Sequence, residues 1–515
     1  MKIGLLLSQH ARRTPDKQAI VYGEENLTFG TLDRQSDRMA NALLAEGLKP
    51  SDRVILYVGN SVELVVAVAA LWKAGALPIP ITTWTVGREL AFMVSDAKPF
   101  AVLYGPEQRD AVRSAELPDG VMHIMTEPAD HAIDLKALIA AGEDTSPPAL
   151  PPEPDDAMIG YTSGTTGNPK GSIMTHSNLI TTQLFTSAVT GARGEDTYMI
   201  MTPIAHRVGM ARLVTCFCLG ATVVVMPKFD PADAIALIER HRISIISLVP
   251  TVARRLLERV EATGALCESL RLITATGEAF PETLKARLSS VLPEVGLWVF
   301  YGMTEGGVPA AISPAEQKRK PGSVGHPMPG VEIRLLDETG ADVPLGESGE
   351  VVMRSGAPGR AMVSREYFNR PEANRDAYRD GWFRTGDLGR FDEDGYLYLV
   401  DRVKDMILSG GLNIYSREVE QALEAAPAVR EVSVVAGPDA DFGECVVAYV
   451  ALKPDTETTA DALIDHCRDR IASYKKPKYV FFLDALPRNA NGKVTKVALR
   501  DRAAQAITGQ QGDGS

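Results

Sequence analysis

The sequence is short of the features that would place a protein in a membrane, on a nucleic acid or outside the cell. Its longest apolar run, Leu64–Trp72, is under half of the roughly 20 residues a spanning helix needs. Ahead of the short stretch Ile3–Leu7 stands a single basic residue, Lys2, which is too little for a signal-peptide core. Positive charge is also in deficit. With 54 Lys and Arg against 66 Asp and Glu, the net charge of −12 argues against a surface that grips a nucleic-acid backbone. The five cysteines, Cys216, Cys218, Cys267, Cys445 and Cys467, show no CxxC spacing, and Cys216 and Cys218 sit inside an apolar run. They are expected to be buried free thiols in a reducing, cytoplasmic setting. No internal repeat and no heptad pattern is present.

What the chain does have is length and alternation. At 515 residues it exceeds one hydrophobic core, so two or more domains are expected. Helical patterns at Asp33–Glu46 and Ser61–Lys73 alternate with strand-like Arg53–Val58 and Ala76–Pro80. A proline-rich connector, Pro147–Pro154, cannot hold a helix or a central strand. Beyond it, Val223–Val225, Ile243–Leu248, Leu272–Ala275 and Leu297–Tyr301 read as buried parallel strands, with Pro231–His241 a helix between them. From Val331 to about Val400 short strands and Asp/Gly turns predict a β-rich subdomain. After Asp401 a further pattern begins, with a helix at Ser416–Ala425 and strands at Val432–Val435 and Cys445–Ala451. The predicted class is α/β: a large N-terminal domain (1–400) of layered α/β subdomains plus a β-rich subdomain, and a small mobile α+β C-terminal domain (401–515). The tail Gly509–Ser515 is expected to lack structure.

The strongest local signal is the run Tyr161-Thr162-Ser163-Gly164-Thr165-Thr166-Gly167-Asn168-Pro169-Lys170-Gly171, between a strand-like Ala157–Gly160 and a helix expected from Asn178. Glycines and small hydroxyl residues let backbone amides turn toward phosphate oxygens, and Lys170 adds a point charge. It is not a P-loop, because no glycine directly precedes Lys170 and Gly171, not Ser or Thr, follows it. Composition alone leaves a phosphate cradle and a Gly/Thr-rich surface turn both open.

The run resembles the phosphate loop of the adenylate-forming superfamily, which includes acyl-CoA synthetases, luciferase-like enzymes and nonribosomal-peptide adenylation domains. Four more segments match in order. Tyr301-Gly302-Met303-Thr304-Glu305 resembles the adenine and magnesium motif, and Thr385-Gly386-Asp387 the ribose motif. Asp401-Arg402-Val403-Lys404-Asp405 resembles the hinge, and Pro487–Lys493 the loop holding the adenylation lysine. Within the superfamily the chain is identified with the AMP-forming acyl-CoA synthetases.

The resemblance implies ATP, Mg2+ and coenzyme A as cosubstrates and cofactors. Thr162, Ser163, Gly164, Thr165, Thr166, Gly167 and Lys170 would wrap the triphosphate, Glu305 would hold the magnesium, and Thr304 would hydrogen-bond the α-phosphate. Gly277, Glu278, Tyr301, Gly302 and Met303 would flank the adenine, Asp387 and Arg402 would meet the ribose, and Lys493 would bridge the acid carboxylate and the α-phosphate. His206 would position the carboxylate, a backbone-bonded structural histidine being the competing reading. Taken singly, Asp387, Glu305, Arg402 and Lys493 read as ordinary turn or surface residues; their joint order gives them roles.

For the acid, the implied pocket is Arg207, Val208, Gly209, Val249, Thr276, Gly302, Gly306 and Gly307, mostly small or apolar, which suits a fatty, aryl or alicyclic acid. Arg207 departs from the apolar or aromatic residue usual there. It either pairs with a distal polar group of the acid or points to solvent, and the solvent orientation is preferred. No aspartate stands in Ile204–Met210 to hold an amino group, and about fifteen residues follow Arg500, so an amino-acid-loading module is disfavoured. The C-terminal domain would rotate at Lys404 between half-reactions, and Gly410, Gly411 and Leu412 would then line the path of the coenzyme A thiol, unless they form a plain turn. A carrier protein as acceptor, or a silent nucleotide- or acyl-binding protein, are the alternatives, and the oligomeric state is open.

Overall fold

The computed structural model describes residues 1–162, 169–488 and 494–512. The chain divides into two compact units, residues 1–333 with 352–384, and residues 334–351 with 385 to the C-terminal end. The larger unit contains a strand Asp156–Thr162 (β1), a strand Lys170–Thr175 (β2), a helix His176–Thr190 (α1), a helix Arg207–Leu219 (α2), and strands Leu272–Ala275 (β3), Gly296–Met303 (β4), Gly307–Ile312 (β5) and Glu366–Tyr367 (β6).

Its main sheet has nine strands in the order His326–Pro327, β5, β4, β3, Ile245–Leu248, Thr197–Ile200, Thr222–Val225, Gln18–Tyr22, Glu25–Thr28. The central strands pair in parallel, as their continuous apolar character predicts, and only the outermost pairs are antiparallel. A second sheet, all parallel, runs Leu77–Pro80, Arg53–Tyr57, Ala101–Tyr104, Met122–Met125, Ile133–Asp134. A third joins β6, β2 and β1.

The helix Val62–Ala74 shows why these layers cohere. Ser61 caps it by accepting from the Leu64 N–H, and Gly75 ends it in the left-handed region at φ +75°. Apolar residues surround it on nearly every side, and it is buried accordingly. Trp72, fully covered, donates its indole N–H to the Ala157 carbonyl on β1 at 2.8 Å. The one cation on this helix that burial would penalise, Lys73, lies 2.5 Å from Asp33 and 2.6 Å from Asp37, so its charge is compensated.

The smaller unit is α+β. Strands Leu412–Ile414, Ile407–Ser409, Gly443–Leu452 and Val429–Asp439 form its sheet, with Tyr479–Phe482 beside Gly443–Leu452. The helix Ser416–Glu424 covers one face through Val419 and Leu423, and the helix Lys496–Gly512 covers the other through Leu499, Ala503 and Ile507. That last helix corrects the expected tail over Gly509–Gly512, because the alanine- and glutamine-rich sequence propagates helix that far, and 513–515 lie outside the described residues. Strands Trp382–Phe391 (β7) and Leu397–Arg402 (β8) pair antiparallel. The stretch 331–400 is strand-rich, and the division points 333/334, 351/352 and 384/385 fall inside its strands, whereas the sequence placed a boundary after residue 400. No helix among the described residues is long and apolar enough to cross a membrane. None of the five cysteines is in a disulfide, and all but the partly exposed Cys218 are buried.

Candidate active site

The site is assembled where the β1–β2 hairpin meets the turn between β4 and β5. Thr162 and Lys170 face each other in register at the end of the hairpin where β1 finishes and β2 begins. Ser163, Gly164, Thr165, Thr166 and Gly167, the expected phosphate loop, lie outside the described residues. The Thr162 hydroxyl lies 3.4 Å from Glu305 Oε1 and 3.3 Å from the Lys170 carbonyl. On the neighbouring strand β6, Tyr367 donates to the same Glu305 oxygen at 2.9 Å, and the Lys170 ammonium lies 5.4 Å from the centre of the Tyr367 ring. Burial, followed by the charge of Glu305, raises the Tyr367 pKa, so the phenol remains a donor. Tyr367 is a site residue that the sequence reading missed. Nothing in Glu366-Tyr367-Phe368 marks it, and only the pairing of Tyr367 with Ser172 brings it here.

Pairing of Met303 with Gly307 makes Thr304, Glu305 and Gly306 the reversal between β4 and β5. Gly307 sits at φ +68°, a conformation that favours glycine. The turn is held from several sides. The Thr304 carbonyl accepts from Arg207 Nη1 at 2.8 Å, the Glu305 carbonyl accepts from the Ser364 N–H at 2.6 Å, and the Thr304 methyl abuts Gly160, where an added Cβ would stand 3.5 Å from it.

The residues implied for the acid converge on the same turn. A Cβ at Gly302 would meet Thr276 Oγ1 at 2.9 Å and the Gly307 carbonyl at 3.2 Å, so the bare backbone at 302 permits this approach. Gly277, at φ +92° just past β3, faces Val249, the residue ahead of the helix Pro250–Thr263. Glu278 is exposed, whereas Tyr301 is buried within β4. His206 precedes the first residue of α2, which contains Val208 and Gly209, and its ring tilts against Trp84 at 6.3 Å. Trp84, largely exposed, is another neighbour that no motif announced.

Arg207 corrects the sequence reading outright. Its guanidinium does not point to solvent: besides the bond to Thr304, Nη1 lies 2.6 Å from the Met174 sulfur, and Nη2 is buried with no hydrogen-bond partner. Burial lowers its pKa to about 10, partly opposed by Glu305, so it remains a cation at neutral pH. The residue as a whole is partly exposed.

A carboxylate flanked by hydroxyl groups suits Mg2+, which takes one or two carboxylates and shares the rest of its shell with water and phosphate oxygens. Glu305 beside Thr162 is such a donor set. Among the described residues no group of three or more His, Cys, Asp or Glu gathers into a metal cage.

In the smaller unit, Asp387 on β7 and Arg402 on β8 are register partners, bridged at 2.9 Å between Arg402 Nε and Asp387 Oδ1. Asp387 is buried and Arg402 half exposed, so the pair presents an anchored carboxylate under a movable guanidinium. Lys404 is exposed, although desolvation by its neighbours lowers its pKa, and its carbonyl accepts from Arg500, which also binds Asp405. Gly410 and Gly411, at φ +58° and +80°, form the two-residue turn of the hairpin Ile407–Ser409/Leu412–Ile414, with Leu412 half exposed. Lys493 lies outside the described residues.

The family model for AMP-binding enzymes matches residues 7–368, and the model for the AMP-binding enzyme C-terminal domain matches residues 418–493. The chain is 33% identical over 513 residues to the long-chain-fatty-acid–CoA ligase FadD13 of Mycobacterium tuberculosis, covering 98% of this chain and 99% of that one. Among solved structures, ATP-bound MatB from Rhodopseudomonas palustris superposes with a TM-score of 0.88 at 31% identity over 98% and 99% of the two chains. O-succinylbenzoate coenzyme A synthetase from Bacillus subtilis, in complex with ATP and magnesium, superposes at 0.85 and 32% identity over 97% and 98%. The chain belongs to the AMP-binding enzymes of the adenylate-forming superfamily. Within them it is an AMP-forming acid–thiol ligase of the acyl-CoA synthetase kind.

Proposed function

We propose that the chain condenses a carboxylic acid with ATP to an acyl adenylate and transfers the acyl group to coenzyme A, with the residues above in the following roles. The hairpin end at Thr162 and Lys170, with the loop Ser163–Gly167 between them, binds the triphosphate. Glu305, oriented by Tyr367, holds Mg2+, which when bound screens the phosphate charge. A carboxylate oxygen of the acid attacks the α-phosphorus and the bond to pyrophosphate breaks. Thr304 and Lys493 donate to the α-phosphate oxygens as negative charge builds. His206 orients the acid, Gly277 and Tyr301 flank the adenine, and Asp387 accepts from the ribose hydroxyls. In the second step the thiol sulfur attacks the acyl carbon, the bond to AMP breaks, and the thiol proton leaves to solvent.

The observation that carries this reading is the junction of Thr162, Lys170 and Tyr367 with Glu305, which joins two separated motifs at one carboxylate. The names of the relatives support coenzyme A as acceptor and span a long-chain fatty acid, indoleacetate and 2-succinylbenzoate. Two-domain use, with a pivot at Lys404, belongs to the same proposal. It is supported by Arg500, which ties Lys404 and Asp405 to the C-terminal helix so that the backbone just upstream can turn with that helix in tow. The unpaired thiols suit a reducing, cytoplasmic setting.

The test is conversion of ATP to AMP and pyrophosphate across a panel of fatty, aryl and dicarboxylic acids, with and without coenzyme A. Acid-dependent AMP with consumption of the thiol is the expected result. Adenylate without thioester would move the acceptor to a carrier protein, and no turnover with any acid would leave a silent binding protein.

A further inference from the structure

His206 ends a short turn whose backbone is held from another part of the fold. Its N–H donates to the Pro203 carbonyl at 3.0 Å, and its own carbonyl accepts from the Met210 N–H at 3.0 Å, so the turn runs straight into α2. α2 packs on that turn through bare backbone. A Cβ at Gly209 would stand 2.4 Å from the Pro203 carbonyl oxygen and 2.7 Å from Ile204 Cα. Contact this close passes any displacement of residues 203 and 204 on to His206.

Asn60 is what holds those residues. It follows the strand Arg53–Tyr57 of the second sheet and immediately precedes Ser61, the cap of Val62–Ala74. The residue is 7% exposed. Its Oδ1 accepts from the Ile204 N–H at 2.7 Å, while Nδ2 donates to the Thr202 carbonyl at 3.0 Å and to the Met226 carbonyl at 2.9 Å. All three partners are backbone groups beyond the carboxyl ends of two main-sheet strands, Thr197–Ile200 and Thr222–Val225. One N–H and two carbonyls ask for a short side chain with an acceptor and two donors at its tip, which is asparagine. An aspartate there would set an oxygen against two carbonyl oxygens. Trp84 comes from the same side of the second sheet, in the loop after Leu77–Pro80, which pairs in parallel with Arg53–Tyr57. That loop is tied down where the Tyr57 hydroxyl donates to the Thr85 carbonyl, and Trp84 stands 6.3 Å from the His206 ring. The carboxyl ends of two parallel sheets thus close on His206, and such ends are where open α/β sheets bind ligands.

We propose that Asn60 is a positioning residue for adenylation: it fixes the backbone of residues 202–204, and through that backbone the place of His206 beside the acid. This rests on the adenylation reading and gives the second sheet a part in it.

The experiment follows the two half-reactions separately in the full chain, with octanoate, benzoate and adipate as the panel of acids. Pyrophosphate release from acid and ATP reports the first step, and thioester formation from coenzyme A and preformed adenylate reports the second. Asn60→Ala is expected to lower kcat/KM for the acid by about 10²-fold in the first step, the cost of a misplaced group, and to leave the second within about threefold. His206→Ala should slow the first step as well, and Asn60→Ala added to it should bring no further loss. A residue that only supports the fold would lower thermal stability and give additive losses in both steps. In Asn60→Asp, protonation of the buried carboxyl restores one donor, so its first-step rate relative to the wild type should rise as pH falls from about 8 to about 6. That variant keeps the acceptor for Ile204 and carries the double-variant comparison if Asn60→Ala does not fold. Additive losses in the double variant, or equal losses in the two half-reactions, overturn the proposal while the ligase stands. A wild type that releases no pyrophosphate with any acid of the panel overturns the adenylation reading, and the proposal falls with it.

Discussion

The two units build their functional surfaces in opposite ways. In the larger one, Thr162, Glu305 and Tyr367 meet from three separate stretches of chain, and Arg207 reaches the Thr304 carbonyl across ninety-seven residues. In the smaller one the parts are local: Asp387 and Arg402 are partners on adjacent strands, and Gly410 and Gly411 are the turn of one short hairpin. A site closed by distant contacts is fixed by the whole core, whereas a site written on a hairpin can be carried as a unit. A two-step ligase needs both kinds: a constant bed for the adenylate, and groups that can be delivered to it or withdrawn.

Substitutions should divide along this line. The largest effect is expected for Lys493→Ala, which should slow adenylate formation by about 10²–10³-fold while sparing acyl transfer from preformed adenylate. If instead transfer fails and adenylation survives, the smaller unit does not deliver the lysine. Glu305→Gln should lower the adenylation rate by about 10²-fold and raise the magnesium concentration needed for half-maximal rate. Equal activity at every magnesium level would remove the metal role. Tyr367→Phe deletes one hydrogen bond to a carboxylate and should cost about tenfold in the same step, again with a shifted magnesium dependence.

The larger unit should also carry a pH signature of its own. His176, at the start of α1, is buried, and its Nδ1 accepts from the Ile3 N–H at 3.2 Å. Burial, aided by Lys2, lowers its pKa from 6.5 to about 3. Between those values the unfolded chain binds the proton and the folded chain does not, so stability is full above about pH 6.5 and falls as pH drops toward 3. The slope is at most about 1.4 kcal/mol per pH unit, and His176→Asn should flatten it in denaturant titrations. The smallest effect is expected for Gly410→Ala. It puts a side chain at φ +58°, with its Cβ 2.8 Å from the Phe442 ring, and should cost about 1 kcal/mol. It should slow thioester formation without touching adenylation; an equal loss in both steps would mean that the hairpin is only structural.

Much of this was legible without coordinates, for a physical reason. Central parallel strands are apolar throughout, so Leu272–Ala275 was placed residue for residue, and the parallel run from Thr222 to Met303 was found to within a few residues at each end. The Asp/Gly turns between 331 and 400 read equally well, because positive backbone angles such as those of Gly340 and Gly395 exclude most other residues. Tyr367 and Trp84 could not be read. Each matters through a neighbour brought close by the fold, and neither its own identity nor its spacing records that neighbour.

Arg207 marks the boundary most sharply. The sequence by itself put a cation at a position the resemblance implies for the acid pocket, and a solvent orientation was preferred for it. Only the tertiary structure put its head under the Thr304 turn, with one end bonded to a backbone carbonyl and the other packed beside Gly307 without a hydrogen-bond partner. The direction of a long, flexible side chain is set by which carbonyls and cavities lie within its reach, and those belong to strands and helices far away in sequence.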